Sequence, residues 1–302
     1  MSVAIIINPI SGGARPDAAR GRAELALTCV EKHGERGEVF VTERRGHAKE
    51  LAKAAARRGD RLVLAWGGDG PINEVASALT FDETPLGIIP AGSGNGLARE
   101  LGISRRPEAA IADALRAEPR AMDVGELEGR LFVNIAGIGI DAHVASRFND
   151  PENQRRGLFG YALLTASALL TYRPSYYRIV ADHGHVEVRA ILVCIANSAQ
   201  FGNNARIAPR ARVDDGLLDV VVVAEHSRLR TIRSLPQLFN GTIEQVPGCS
   251  IFRVRQAAIE SDEPMTFHVD GEPVHGGPRL RLRVHPGALR IAVRAAELPR
   301  LP

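Results

Sequence analysis

Residues Leu62 to Val75 constrain the architecture of this chain more than any other stretch. An apolar run, Leu62-Val63-Leu64-Ala65-Trp66, stops at Gly67-Gly68-Asp69-Gly70, and a helical pattern begins at once. Ile72, Val75, Ala76 and Leu79 fall at i, i+3, i+4 and i+7, the spacing of one buried helix face. Pro71 suits the first helical position, where its missing N–H is not needed. Glycines at such a turn reach positive φ and let backbone approach a ligand with no Cβ in the way. The free N–H groups at a helix start favour an anion, and an acid beside that anion implies a cation between them. Strand, glycine turn with a carboxylate, and helix together point to a phosphate and Mg²⁺ site. Taken alone, the four residues describe a tight turn with a capping Asp equally well.

The flanking chain repeats the pattern. Val3 to Ile7 reads as a strand buried on both faces, and it ends in the turn formers Asn8-Pro9-Ile10-Ser11-Gly12-Gly13. A helix over about residues 17–33, a strand over 38–42 and a helix over 47–58 follow. A fourth strand over 85–89 leads into Pro90-Ala91-Gly92-Ser93-Gly94-Asn95-Gly96 and a helix from near Leu97. Alternating strands and helices predict parallel βαβ units. Ligands on such sheets bind outside the carboxyl ends of the strands, so the three glycine-containing loops belong to one sheet edge. Thr42 ends the second strand at that edge, His47 opens a helix there, and Arg15 is a candidate cation or an ordinary surface residue. There is no Gly-x-x-x-x-Gly-Lys-Ser/Thr, and the first loop is not Gly-x-Gly-x-x-Gly. Gly137-Ile138-Gly139 is a lone Gly-x-Gly of little weight.

From about residue 120 the period changes. Short strands over 131–135, 176–181, 186–195, 217–223 and 280–284 predict a β-rich second domain with few helices. The clearest helix, over about 157–172, is apolar nearly all round and bracketed by Arg155, Arg156 and Arg173; it is either a core helix or one lying against lipid. Arg212-Val213-Asp214-Asp215-Gly216-Leu217-Leu218-Asp219 sets three carboxylates around a glycine, which suits a hard cation or an Asp-Gly turn before a strand. Phe267-His268-Val269-Asp270-Gly271-Glu272-Pro273 is an alternating strand ending in a turn with two acids, a place where a carboxylate base can be held rigidly. Asp123 lies at the junction of the two halves.

Composition narrows the class. The 302 residues are 45% hydrophobic and 24% charged, a globular balance with room for two cores. Net charge is only +3 with acids interspersed, so nucleic acid is not implied. Cys29, Cys194 and Cys249 have no CxxC spacing and imply neither a disulfide framework nor a zinc site. No signal peptide is evident at the start and no apolar run reaches the roughly 18 residues of a membrane span. The expectation is a cytoplasmic protein, with peripheral contact at the inner membrane face and homo-oligomerisation left open.

Asn-Pro-x-Ser-Gly, Gly-Gly-Asp-Gly, Pro-Ala-Gly-Ser-Gly-Asn, Asp-Asp-Gly and Asp-Gly-Glu, in this order over nearly the whole chain, resemble the diacylglycerol kinase and sphingosine kinase-like lipid kinases of the NAD kinase superfamily. The resemblance implies a Rossmann-like α/β nucleotide-binding domain over 1–125, with residues 286–302 packing back on it. It implies an all-β sandwich-like domain for the lipid over 126–285, and a nucleotide lying between the two. The implied nucleotide contacts are Asn8, Pro9, Ser11, Gly12, Thr42, Gly67, Gly68, Asp69, Gly70, Asn73, Glu74, Gly92, Ser93 and Asn95. Glu272 is the implied proton acceptor, supported by Asp270 and Asp123, and Asp69 the residue that holds the Mg²⁺ on ATP. A structural Mg²⁺ is implied at Asp215 with the backbone oxygens of Arg212 and Leu217. Pro71 departs from the pattern, in which Thr often stands there, and removes one nucleotide contact. The implied activity is transfer of the ATP γ-phosphate to a lipid hydroxyl. The alternatives are an NAD kinase and a nucleotide- or lipid-binding protein without turnover.

Overall fold

The structure is a computed structural model that describes residues 2–13, 18–148, 167–168, 171–182, 184–202 and 205–294. Two compact units emerge: Met1–Met122 with Gly287–Pro302, and Asp123–Pro286.

The first unit is built on four parallel strands, β1 (Ser2–Ile7), β2 (Arg36–Val41), β3 (Leu62–Gly67) and β4 (Leu86–Pro90), in the order β2-β1-β3-β4. The near-continuous apolar runs of β1, β3 and β4 follow from helices on both faces of the sheet, whereas the edge strand β2 carries exposed positions. The helices are α1 (Ala18–Lys32), α2 (His47–Arg58), α3 (Asp69–Leu79), α4 (Gly96–Glu100) and α5 (Pro107–Arg116). Val30 of α1 and Ile111 of α5 meet Ile5 and Leu64 in the core. The chain returns to this unit after Gly287: Ile291 aligns parallel to Leu86, and Ala292 donates its N–H to the Leu86 carbonyl at 2.8 Å.

Helix α3 starts at Asp69, so Pro71 occupies its third position instead of the first. The N–H groups of the whole first turn lack intrahelical partners, so a proline is tolerated there for the same reason. Helix α5 completes the unit, its Ala110, Ile111, Ala114 and Leu115 buried on one face behind Pro107.

The second unit is a sandwich of two antiparallel layers. Its first elements are β5 (Arg120–Leu127, which begins in the first unit), β6 (Arg130–Phe132), β7 (Ile135–Gly139), α6 (Ile140–Phe148), β8 (Ser175–Ala181) and β9 (Gly184–Ala196). Strand β9 serves both layers. Its first half pairs with β8, and its second half lies between β7 and the strand Leu218–Ala224. Ile138, Val193 and Val220 from one layer pack with Ile179, Ile259 and Leu280 from the other. The opposite face of the first layer, with Leu192, Cys194 and Val221, is covered by Ile140 and Val144 of α6 and by Ile207, Ile243 and Val246.

Two features of this half differ from the sequence expectation. The run 131–135 is broken at Val133-Asn134, and Gly137-Ile138-Gly139 lies inside β7. Asp123, at the junction of the two halves, sits within a strand, β5. The described residues of this half include three helices beyond any predicted, α6, Arg228–Arg233 and Leu235–Asn240, all short enough to blur a 3.6-residue period. The predicted helix over 157–172, with Arg155 and Arg156, falls outside the described residues except for 167, 168 and 171, which are helical, and 172, which is not; Arg15 is likewise outside. Among the described residues, no helix is long and apolar enough to cross a membrane.

Candidate active site

Three loops meet at the carboxyl edge of the first sheet. Gly12 has φ +73°, and a Cβ there would lie 2.4 Å from the Ala91 carbonyl oxygen. A Cβ on Gly92 would lie 2.7 Å from the Gly68 Cα, so the second and third loops touch backbone to backbone. Only glycine permits this approach.

Asp69 holds the second and third loops together. Its Oδ2 accepts the Asn95 N–H at 2.9 Å and its Oδ1 the Gly96 N–H at 2.8 Å, at the start of α4. Burial pushes this carboxyl above the usual range, against the opposing pull of those N–H groups. Asn95, left-handed at φ +49°, folds its amide back onto Gly92 at 2.8 and 2.7 Å. The Asn8 side chain accepts the Ile10 N–H at 3.1 Å and shapes the first loop around Pro9 and Ser11. Arg22, which carries no motif in the sequence, reaches from α1 to the Asn8 and Ser11 carbonyls, both at 2.9 Å, and lies 5.8 Å over the Trp66 ring.

The remaining predicted nucleotide residues spread along this edge. Ser93 is exposed in the third loop, and Gly67 and Gly70 flank the second. Thr42 is buried and ties its N–H to the Ile7 carbonyl. Asn73 accepts the Ser77 hydroxyl at 3.4 Å. Glu74 accepts the N–H groups of Gly46 and Ala48 at 2.8 and 3.2 Å, capping α2, which has no cap of its own. His47 accepts the Glu43 N–H at 3.2 Å at the same helix start.

The two loops joined by Asp69 lead to one prediction. Asp69→Ala leaves two N–H groups without their acceptor, and if this edge holds nucleotide phosphates as the sequence implies, nucleotide affinity is expected to fall about five- to 150-fold even without Mg²⁺, on the order of 1–3 kcal/mol for such a loss. Fluorescence titration with Mg²⁺-free nucleotide measures it. Wild-type affinity under that condition, with loss only when Mg²⁺ is present, would assign Asp69 to the metal instead.

A second cluster lies wholly within the second unit. Asp270 is left-handed at φ +47°, and its carboxylate accepts the N–H groups of Val133, Asn134 and Ile135 at 2.9, 3.0 and 2.8 Å. These bonds break the strand predicted over 131–135, because the side chain takes donors that a ladder would use. Glu272, half-buried, follows as the first residue of the strand Glu272–His275. Buried His268 accepts the Gly271 N–H on Nδ1 at 3.2 Å, which leaves Nε2 to donate to Asp141 Oδ2 at 3.1 Å. The other Asp141 oxygen accepts the Ala142 N–H at 2.8 Å, at the start of α6. A Cβ on Gly137 would lie 1.8 Å from Asp141 Oδ2, so the first glycine of the lone Gly-x-Gly makes room for this pair.

Asp123 is buried, accepts the Gly216 N–H at 2.6 Å, and donates its own N–H to the Val213 carbonyl at 2.7 Å. It thus fixes the turn that carries Asp215. Asn197, absent from the sequence reading, donates its amide to the carbonyls of Asp123 and Val133, both at 2.9 Å, and so joins that turn to the loop held by Asp270. The Asp215 carboxylate accepts the Leu217 N–H at 3.1 Å and lies 3.7 Å from Arg253, which also approaches Asp219 at 3.5 Å.

Among the described residues no three His, Cys, Asp or Glu side chains converge as metal ligands. A site of one carboxylate and two carbonyls at Asp215, Arg212 and Leu217 needs no such convergence and suits a hard cation. Asp219, close to this turn, is pushed up from 3.8 to about 6, first by burial, with Arg253 opposing and Asp215 adding. The folded chain therefore binds the Asp219 proton more tightly than the unfolded chain does. That stability is full below about pH 4 and is lost as pH rises through about 6, a change of roughly 2 kcal/mol. Asp219→Asn is expected to flatten the melting temperature between pH 4 and pH 7 in metal-free buffer; an unchanged slope would refute the assignment.

The chain has recognisable relatives. Residues 2–127 match the diacylglycerol kinase catalytic domain, and residues 134–293 match the YegS C-terminal NAD kinase beta sandwich-like domain. The chain belongs to the diacylglycerol kinase-like family of lipid kinases. A protein of Chromohalobacter salexigens named "Probable lipid kinase YegS-like" is 32% identical over 271 residues, which cover 88% of this chain and 87% of that one. A "Diacylglycerol kinase" of Mycobacterium tuberculosis is 31% identical over 282 residues, covering 89% and 88%. The fold is shared with a diacylglycerol kinase crystal structure from Bacillus anthracis, at a TM-score of 0.72 and 20% identity over 98% of each chain. A second structure from that organism gives a TM-score of 0.81 at 22% identity, over 98% of this chain and 96% of its own. As a diacylglycerol kinase-like protein, this chain is an enzyme, a kinase.

Proposed function

We propose that this kinase transfers the γ-phosphate of Mg-ATP to the hydroxyl of a membrane lipid such as diacylglycerol or a sphingoid base. One observation supports the lipid acceptor above all: an apolar cavity of about 130 Å³ in the second unit, lined by Ile140, Val144, Leu192, Phe201 and Leu238, with Asp141 in its wall. It shares Ile140, Ile191, His226 and Thr231 with a more polar pocket of about 370 Å³, bordered by Arg173, Arg189 and Glu225. The apolar lining of the first suits an acyl chain.

In this reading the glycine loops of the first unit offer backbone N–H groups to the phosphates, with Asp69 and Asn95 keeping the loops in shape. Arg212, Asp215 and Leu217 would hold a Mg²⁺, which supplies local charge neutralisation and rigidity when bound. Asp270 fixes the turn, and Glu272 accepts the proton of the attacking hydroxyl. Asp123 and Asn197 keep the neighbouring turns in place.

His268 offers a test of the turn. His268→Asn keeps an acceptor for the Gly271 N–H and gives up Asp141; His268→Gln does the reverse. If the turn governs proton transfer, kcat of the Asn variant stays within about tenfold of wild type while the Gln variant falls by about 10²-fold. The opposite order would place the importance on the Asp141 bond.

The function itself is tested by transfer of labelled γ-phosphate from Mg-ATP to detergent-dispersed diacylglycerol, monoacylglycerol, sphingosine, ceramide and phosphatidylglycerol, with NAD alongside. Label in one lipid is expected. Label in NAD would overturn the proposal in favour of an NAD kinase, and bound ATP with no labelled product would favour a binding protein.

A further inference from the structure

The short helices Arg228–Arg233 and Leu235–Asn240 have two unlike faces. Inward, Thr231, Ser234, Leu235 and Leu238 line the apolar cavity. Outward, Ile232 is 42% and Phe239 56% exposed, beside exposed Arg230 and Arg233. From His226 to Ile243 the sequence holds Arg228, Arg230 and Arg233 and no Asp or Glu. The acids at either end are already engaged, Glu225 with Arg189 and Glu244 with Arg210, each at 3.0 Å. Exposed Arg173 adds a further cation at the rim of the polar pocket.

We propose that the outward face of this helix pair is the surface by which the kinase docks on an anionic phospholipid bilayer, its arginines among the headgroups and Ile232 and Phe239 at the acyl boundary. Charge complementarity selects the partner: a stretch with arginines, no acid of its own and exposed apolar side chains matches an anionic interface better than a neutral one. Continuity with the cavity gives the docking a purpose, since the residues behind this face line the space assigned to the acyl chain. The inference rests on the proposed lipid acceptor only for that purpose; the docking surface itself stands on exposure and charge.

The test is co-sedimentation of the full chain with phosphatidylcholine vesicles, with and without phosphatidylserine, an anionic lipid outside the acceptor panel. Wild type is expected to sediment with the anionic vesicles, less so as salt rises. Arg230→Ala with Arg233→Ala should weaken that binding roughly thirtyfold, and Ile232→Asp with Phe239→Asp should weaken it independently. Both double variants should keep wild-type melting temperatures and wild-type phosphate transfer to lipid in detergent. Equal binding by wild type and variants, or no preference for anionic vesicles, would overturn the proposal. So would concentration-dependent self-association that the same variants abolish, which would assign the face to a second copy of this chain. Because vesicle binding is read without any acceptor, a failed acceptor assay would refute the functional proposal and leave this one to its own result.

Discussion

Glu272→Gln is expected to lower kcat by about 10²–10⁴-fold while leaving the melting temperature where it was. The change keeps the shape of the side chain and removes its capacity to accept a proton. Glu272 stands at the start of a strand, one residue beyond a turn that is fixed by its neighbours, so the substitution disturbs little else. Stopped-time assays with the acceptor identified in the lipid panel, alongside a thermal melt, measure both halves of the expectation. Turnover within about tenfold of wild type would remove Glu272 from the role of base.

Asp270→Ala is expected to act in the opposite sense, through the fold. Three backbone N–H groups lose a charged acceptor, and the turn loses a residue type that tolerates the left-handed conformation at φ +47°. At about 1–3 kcal/mol for each orphaned donor, the loss is on the order of 3–9 kcal/mol, a large share of the stability of an ordinary domain. Urea unfolding gives the number. A loss below about 1 kcal/mol would mean that water replaces the carboxylate without penalty and that the turn does not depend on it.

These two predictions give the acids of one Asp-Gly-Glu turn separate tasks, while the sequence shows only that they stand two residues apart. The first half of the chain is legible because its signals are local. The apolar runs of β1, β3 and β4, the face of α3 and the glycine loops each span about ten residues or fewer. Gly12, Gly68 and Gly92 are legible as backbone approaches for the same reason. Partners far apart in the chain are not. Nothing near Arg22 announces its grip on the first loop, and the Asp141–His268 pair joins residues separated by 127 positions. Glu74 has the position of a nucleotide contact in its motif, yet its carboxylate caps α2, because the Gly46 that opens that helix offers no side chain. The described helices of the second half run only six to nine residues, too short for a 3.6-residue period to show.

The return of the chain to the first unit has a consequence for synthesis. A ribosome releases residues 1–122 long before Ile291 and Ala292, the residues that lie along Leu86. Until they emerge, the outer edge of β4 has neither its parallel neighbour nor the N–H donor for the Leu86 carbonyl, and an open edge of apolar sequence invites pairing with other chains. The newborn protein thus carries its first unit half-finished through the making of the entire sandwich, and a late-made segment closes the sheet that an early one opened.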